Sequence, residues 1–487
     1  MRPPGNSRRA PAWPLPTDTT SAAPTRNPAE VLFVLVLACA SFSLSQTLAI
    51  PALPEIASDL RTTPEAASWI LTAFLLSASI STPIVGKLGD VHGKGRVLTA
   101  VLLAFSAGAV VDALATSIGV VIAGRVLQGV AGGVFPLAFG IVRDTFPRER
   151  VPSGLGTVGA IFGIGAGIGL TLSGVIADHL GTPWLFWINL VALPGAIAAY
   201  RLIPSAPERE RPSIDWLGAF VLSAALGAIL LGVSEADSWG WGSPANVGLI
   251  GGGLVLVGVF VAIEARVPEP LIDLAVLRQQ AVATTNLTAF MVGVAMFASF
   301  LLIPRFAQAP AEAGYGFAAS VTVAGLLMMP AAVVQLLTGS LAGRLGTRIG
   351  FRAVLAIGAG LMVASFLLVA LAHGHEWEVV ASGGLLGAGI AFTLAAMANL
   401  IVDAVRQADV GIATGINTVM RTVGGAFGAA IATAILAADT PGAGGLPGEG
   451  AYTAAFAFSA GAALLALGAA LLVPRTPARP LPAVAGA

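Results

Sequence analysis

The sequence predicts an all-α polytopic membrane protein that crosses the bilayer fourteen times. Three observations carry that expectation: an apolar composition, apolar runs of spanning length along the whole chain, and basic residues gathered in alternate loops. Charged residues make up 10% of the 487 residues and hydrophobic ones 56%, with a mean hydropathy of +0.87. A soluble domain carries roughly 25% charged residues. A chain this apolar cannot cover a globule with polar surface, so lipid must serve as its solvent. The net charge is zero, which leaves no overall basic field to attract nucleic acid. The single cysteine, Cys39, sits inside an apolar run, which excludes an intrachain disulfide.

A spanning helix needs about 20 mainly apolar residues. Such runs fall at 30–50, 67–86, 97–116, 118–142, 152–176, 183–203, 216–233, 245–264, 283–304, 320–342, 352–372, 378–401, 411–437 and 452–473. Residues 1–29, rich in Pro, Thr and Arg, read as a disordered cytosolic tail, and 474–487 as a second tail. The first run has spanning length and no clear cleavage pattern, so it reads as a retained helix and not a signal peptide. With the N-terminus inside, 21 of the 25 Lys and Arg residues fall in cytosolic segments. Two fall outside (Arg61 and Arg305) and two within spans (Arg125 and Arg421). Shifting the count by one helix would invert every later loop, so the positive-inside rule supports both the number and the orientation. The expected location is the plasma (inner) membrane, with both termini cytosolic.

An internal repeat organises the spans. Gly86-Lys87-Leu88-Gly89-Asp90-Val91-His92-Gly93-Lys94 follows the second run, and Gly343-Arg344-Leu345-Gly346-Thr347-Arg348-Ile349-Gly350-Phe351 follows the tenth. At an offset of 257 residues, three glycines, a leucine and a basic residue coincide. The repeat is displaced by eight spans and not six. The chain therefore divides into a six-helix half at 30–203, a linker with an inserted pair of helices at 204–280, and a second half at 281–473. Parallel repeats with a binding site between them are a transporter architecture.

These features resemble the major facilitator superfamily, and within it the fourteen-helix drug:proton antiporters. The stretch Gly86 to Arg96 is similar to the superfamily's signature loop. Arg125-Val126-Leu127-Gln128-Gly129, Phe146-Pro147-Arg148-Glu149-Arg150, Trp187-Ile188-Asn189, Ile214-Asp215-Trp216-Leu217-Gly218 and Arg421-Thr422-Val423-Gly424-Gly425 are family-like as well. The resemblance covers residues 30–475. It implies the major facilitator fold with its helices arranged 6+2+6, and efflux of amphipathic drugs or an antibiotic in exchange for protons. Two departures stand out. Ser45 occupies the place of a common Asp in the first helix. Gly169-Leu170-Thr171-Leu172-Ser173-Gly174 replaces the antiporter pattern Gly-Pro-x-x-Gly-Gly. A metabolite exporter or an uncoupled facilitator is the main rival reading, and a non-transporting membrane sensor or scaffold a more distant one.

Charge inside the bilayer costs about 2.5–3.5 kcal/mol per residue on insertion scales, so it needs a partner or a purpose. Asp112 and Arg125 flank one tight turn at nearly equal depth. Two readings stand for Asp112: an intramembrane pair with Arg125 that takes up the proton, or a carboxylate reaching the headgroup boundary. For Arg125 the resemblance implies proton transfer or ordering of the cavity; the alternative is a structural Arg satisfied by helix-end carbonyls. Arg421, near mid-depth, could hold an anionic substrate group or anchor to carbonyls of the fifth helix. The resemblance implies a cytosolic gate latch at Lys87, Asp90, Lys94 and Arg96 with Gly86 and Gly93, with Arg143 and Asp144 as partners. Gly343, Arg344 and Gly350 form its second copy. Gln46, Gln128 and Asn286 are the first choices for lining the cavity.

Glycines spaced along the fifth and thirteenth runs suggest that these two helices pack closely as the seam between halves. His373 and His375 are expected to face water. There is no nucleotide-binding loop, and the four histidines lack metal spacing. Neither an enzyme, a cofactor nor a metal is therefore expected. The expected partners are a small amphipathic substrate, protons and the lipid bilayer, with the functional unit a monomer.

Overall fold

The computed structural model describes residues 27–203, 215–268, 270–440 and 446–474. The two expected tails lie outside the described residues but for 27–29 and 474. The described residues are helical, with no strand among them. Fourteen long helical segments follow one another. In the first half these are α1 (Pro28–Leu48), α2 (Pro64–His92), α3 (Lys94–Ala113), α4 (Ile118–Thr145), α5 (Val151–Leu180) and α6 (Trp184–Leu202). The inserted pair is α7 (Trp216–Ser234) and α8 (Pro244–Glu264). The second half holds α9 (Gln280–Ala307), α10 (Val321–Ile349), α11 (Phe351–Leu371), α12 (Glu376–Ala404), α13 (Val410–Ala438) and α14 (Glu449–Leu472). Among the described residues, thirteen of these are long and apolar enough to cross a membrane. The remaining one, α5, runs 30 residues, and its stretch Val151–Gly163 is apolar.

The starts of the helices are fixed by side chains that accept from otherwise orphaned backbone N–H groups. Asn27 accepts from Ala29 at α1, Thr63 from Ala66 at α2, and Asp215 from Gly218 at α7. Ser243 and Ser320 do the same for α8 and α10. The expected fourth span is a single helical segment that tightens to a 3₁₀ turn at Val130–Gly133. Gly129, Gly132 and Gly133 lie there against α2, where a Cβ would meet Ser77, Ala78 or Val85. The tighter turn lets α4 follow the surface of α2.

The turns of the repeat adopt one conformation. Gly93 (φ 94°, ψ 123°) ends α2, and Gly350 (φ 88°, ψ 143°) ends α10. Both lie at positive φ, where a side chain is strained and glycine is not.

The seam between halves differs from the expected one. α5 packs on α10 and α12, and α13 packs on α2 and α4. The glycines explain the arrangement. Gly156 and Gly163 of α5 abut Gly339 and Gln335 of α10, whereas Gly165 and Gly169 abut Ser43 and Thr47 of α1. On α13, Gly411 and Gly415 approach α2, while Gly424, Gly425 and Gly428 receive Phe290, Phe297 and Val294 of α9. Each glycine-rich helix thus serves two neighbours at different heights, one within its half and one across the seam.

Within the second half, Phe306 gathers Tyr315, Phe317, Tyr452 and Phe456 around it. His373 stands edge-on to the same ring, and its Nε2 lies 2.9 Å from Glu449. Contrary to expectation, His373 ties the end of α11 to α14; His375 is exposed, as expected.

Candidate functional site

The face bearing the Gly86–Arg96 turn, here the basic face, is where the two halves clasp. Asp90 lies on the last turn of α2. Its Oδ1 accepts from the Gly411 N–H (3.3 Å) and its Oδ2 from the Ile412 N–H (3.1 Å). These are two of the first N–H groups of α13, which have no partner within that helix. The carboxylate of one half therefore caps a helix of the other and complements its positive dipole end. The approach needs glycine on both sides: a Cβ on Gly86 would stand 2.6 Å from the Gly411 carbonyl oxygen, and a Cβ on Gly411 2.6 Å from that of Gly86.

A second strand of contacts runs beside this one. Lys94 Nζ lies 3.4 Å from Asp90 Oδ1 and 2.9 Å from Asp144 Oδ2. Asp144 in turn accepts from Gln407 (2.8 Å), and Arg143 donates to the Val405 carbonyl (3.1 Å). The expected partners Arg143 and Asp144 thus reach the second half through the connection before α13. Gly343 approaches the Pro152 carbonyl at the start of α5. Lys87 turns instead to the Pro270 carbonyl (3.2 Å), in the segment that follows the inserted pair. Arg96 and Arg344 are exposed, outside the clasp.

Deeper inside, Arg125 is 1% exposed and fully engaged. Its Nε donates to the Ile70 carbonyl (3.1 Å). One terminal nitrogen donates to Ser45 Oγ (2.9 Å) and Gln128 Oε1 (2.7 Å), and the other to the Ser45 carbonyl (2.9 Å). Its guanidinium also lies 4.3 Å from the centroid of Phe74. Ser45 Oγ closes the cluster by donating to Gln128 Oε1 (3.0 Å). Four neutral acceptors and a ring face thus stand where a carboxylate was the expected counter-charge.

Asp112, the last residue but one of α3, is 3% exposed and sits against Gly124 of α4. Neither of its carboxylate oxygens has a hydrogen-bond partner. Asp112 and Arg125 lie near enough to act on each other as opposite charges, as the expected intramembrane pair requires, but no hydrogen bond joins them. The hydrogen bonds of Arg125 go instead to Ser45 of α1, Ile70 of α2 and Gln128 of its own helix, where four acceptors converge.

Arg421 lies ten residues beyond Gly411 on α13, about 15 Å along the helix at 1.5 Å per residue. It stands over the Phe162 ring of α5, 4.5 Å from the centroid, and not on backbone carbonyls of that helix. Phe135, Phe139, Phe162, Thr414 and Asn417 line a narrow cleft between the halves with it, together with Leu394 and Ala398 of α12. Asn286 borders this region by accepting from Asn417 (3.0 Å), which ties α9 to α13. Gln128 belongs to the Arg125 cluster, and Gln46 is half-buried beside it. Asn189 and Asn399 bond back to carbonyls of their own helices.

Two helical halves, related by a repeated turn and meeting over a polar interior, define the architecture of a multi-pass membrane protein. The chain belongs to the Major Facilitator Superfamily, whose family model matches residues 35–308 and 285–486. An MFS-type transporter of Mycobacterium tuberculosis, Rv1877, is 30% identical over 433 residues, covering 85% of this chain. The match spans 61% of that relative's length. The multidrug transporter protein MdtP of Bacillus subtilis is 26% identical over 82% of this chain and 74% of its own. The tetracenomycin C resistance and export protein of Streptomyces glaucescens is 26% identical over 84% and 76%. In three dimensions the fold matches the crystal structure of the human organic anion transporter MFSD10. That match has a TM-score of 0.65 at 16% identity, over 91% of this chain and 99% of the other.

Proposed function

We propose that this protein exports amphipathic drugs or an antibiotic across the plasma membrane in exchange for protons, by alternating access. The basic face is then cytosolic, and the clasp of Asp90 on α13 is the closed inner gate. The observation that carries the reading is Asp112. It is a buried carboxyl group with no hydrogen-bond partner on either oxygen, one helix contact from the Arg125 cluster. A buried carboxylate without donors is costly when charged. A group in that position is served by a proton in one state of a cycle and by a cation or water in another. Similarity to multidrug and antibiotic export proteins supports the substrate class.

A specific observation favours an uncoupled facilitator as the second reading. Arg125 is satisfied by Ser45, Gln128 and Ile70, so the usual partner site for a proton in α1 is filled by neutral groups. Dye uptake into inverted vesicles, with and without an uncoupler, separates the two. Antiport requires that the uncoupler abolish accumulation in the wild type and that Asp112→Asn remove the uncoupler-sensitive part. Uncoupler-insensitive movement in the wild type sinks the antiport reading, and intact proton-driven efflux in Asp112→Asn removes Asp112 from it.

A further inference from the structure

The interior holds two buried arginines in unlike circumstances. Arg125 makes four hydrogen bonds to three residues and stacks on Phe74. Arg421 is 5% exposed, yet its guanidinium forms no hydrogen bond or ion pair with any described residue, and its Nε is buried without a partner. Its one contact of note is the face of Phe162. Burying an arginine without compensating acceptors is among the most expensive things a protein interior can do. A ring face offsets only part of that cost. The protein could have met it: Asn417, one turn away, has its amide turned to Asn286 and Thr285 on α9.

Arg421 opens on the cleft between the halves. Three phenylalanines from α4 and α5 line one side of that cleft, and no acidic residue is among its lining. A planar fork of donors matches a carboxylate in a bidentate fashion, and the phenylalanine faces suit a flat apolar body.

We propose that Arg421 is the anchor of the substrate site, and that the site takes an aromatic or polycyclic carboxylic acid. As the halves stand here the cleft has room for about one water molecule, so the ligand is received in the conformation in which the halves part: the carboxylate then meets the guanidinium and the ring system enters among Phe135, Phe139 and Phe162. This rests on the transport reading for its setting but not for its test, which is a binding measurement on purified protein in a neutral detergent. The probes share one body and differ in charge: 1-pyrenebutyrate, 1-pyrenebutanol and 1-pyrenemethylammonium, followed by energy transfer from tryptophan to pyrene. The expected result is at least tenfold tighter binding of the butyrate than of the other two. Arg421→Gln abolishes that preference, and Phe162→Leu weakens all three probes together. Equal affinities in the wild type, or a preference for the ammonium, overturn the proposal whether or not any variant folds. A preference that survives Arg421→Gln in protein of normal gel-filtration profile overturns it as well. Should binding be selective while vesicles show no export, the site stands and the efflux reading falls; the reverse outcome separates them the other way.

Discussion

Asp90→Asn is the perturbation that tests the clasp most directly. The carboxylate accepts from Gly411 and Ile412 at 3.3 and 3.1 Å, and attracts Lys94 at 3.4 Å. Asparagine keeps one acceptor and loses the second, together with the charge. Removing a capping acceptor costs about 0.5–2 kcal/mol. Removing a negative charge from a helix N-terminus costs about 0.3–1 kcal/mol when exposed, and up to about 2 when partly buried. The closed basic face should therefore lose roughly 1–2 kcal/mol of its advantage, a factor of about 5–30 in population. Distances between spin labels report that population. Cys39 is the only cysteine and is buried, so replacing it by serine gives a clean background. Arg96 and Arg344 are exposed on the same face in opposite halves and can each carry a label as cysteine. The expected outcome is a longer-distance component in Asp90→Asn that is minor or missing in its parent. An unchanged distribution, with both proteins equally folded by thermal unfolding, refutes the clasp as a determinant of closure.

Two further outcomes follow from the same geometry. Gly93→Ala and Gly350→Ala each place a Cβ at positive φ, with an expected cost of about 1–3 kcal/mol. Thermal unfolding in detergent should show a lowered midpoint for both, and a neutral result at either position would mean that its turn is free to relax. Ser45→Asp introduces a carboxylate within reach of an Arg125 nitrogen now 2.9 Å from Ser45 Oγ. The expected outcome is a larger uncoupler-sensitive share of dye efflux. An unchanged share would show that the α1 position does not take part in coupling.

Local chemistry was the part of this protein most legible in its sequence. The positive-φ turns at Gly93 and Gly350 belong to a repeat that needs no tertiary knowledge to find, because only glycine serves there. Spans were legible because lipid demands a long apolar run whatever the neighbours are. Direction around a helix axis was not. Depth alone puts Asp112 and Arg125 within reach of each other, but does not say that the hydrogen bonds of Arg125 go to α1 and α2. One signal for that was present: Arg125 and Gln128 are three residues apart and therefore share a face. That spacing foretells their hydrogen bond. In α1, neighbouring residues point about 100° apart, so Ser45 enters the cluster while Gln46 stays half-buried beside it. The glycine stripes of α5 and α13 announced close approach without naming the partner, since a small residue fits any neighbour.

The 257-residue offset also exposes an asymmetry that the shared turn conceals. Asp90 corresponds to Thr347, so only the first half carries a carboxylate at this point. Where α2 meets α13, closure rests on a charge capping a helix N-terminus. Where α10 meets α5, the contact is backbone on backbone, with Gly156 against Gly339 and Gly343 against the Pro152 carbonyl, and α5 starts without a side-chain cap. The two seams therefore respond differently to the same motion. A glycine-lined contact has no bond to break and tolerates a change of angle, whereas the Asp90 clasp is either made or lost. Labels across α5 and α10 should accordingly keep their distance in Asp90→Asn while those across α2 and α13 separate. Equal separation at both would mean that the halves part as rigid bodies with no pivot between them.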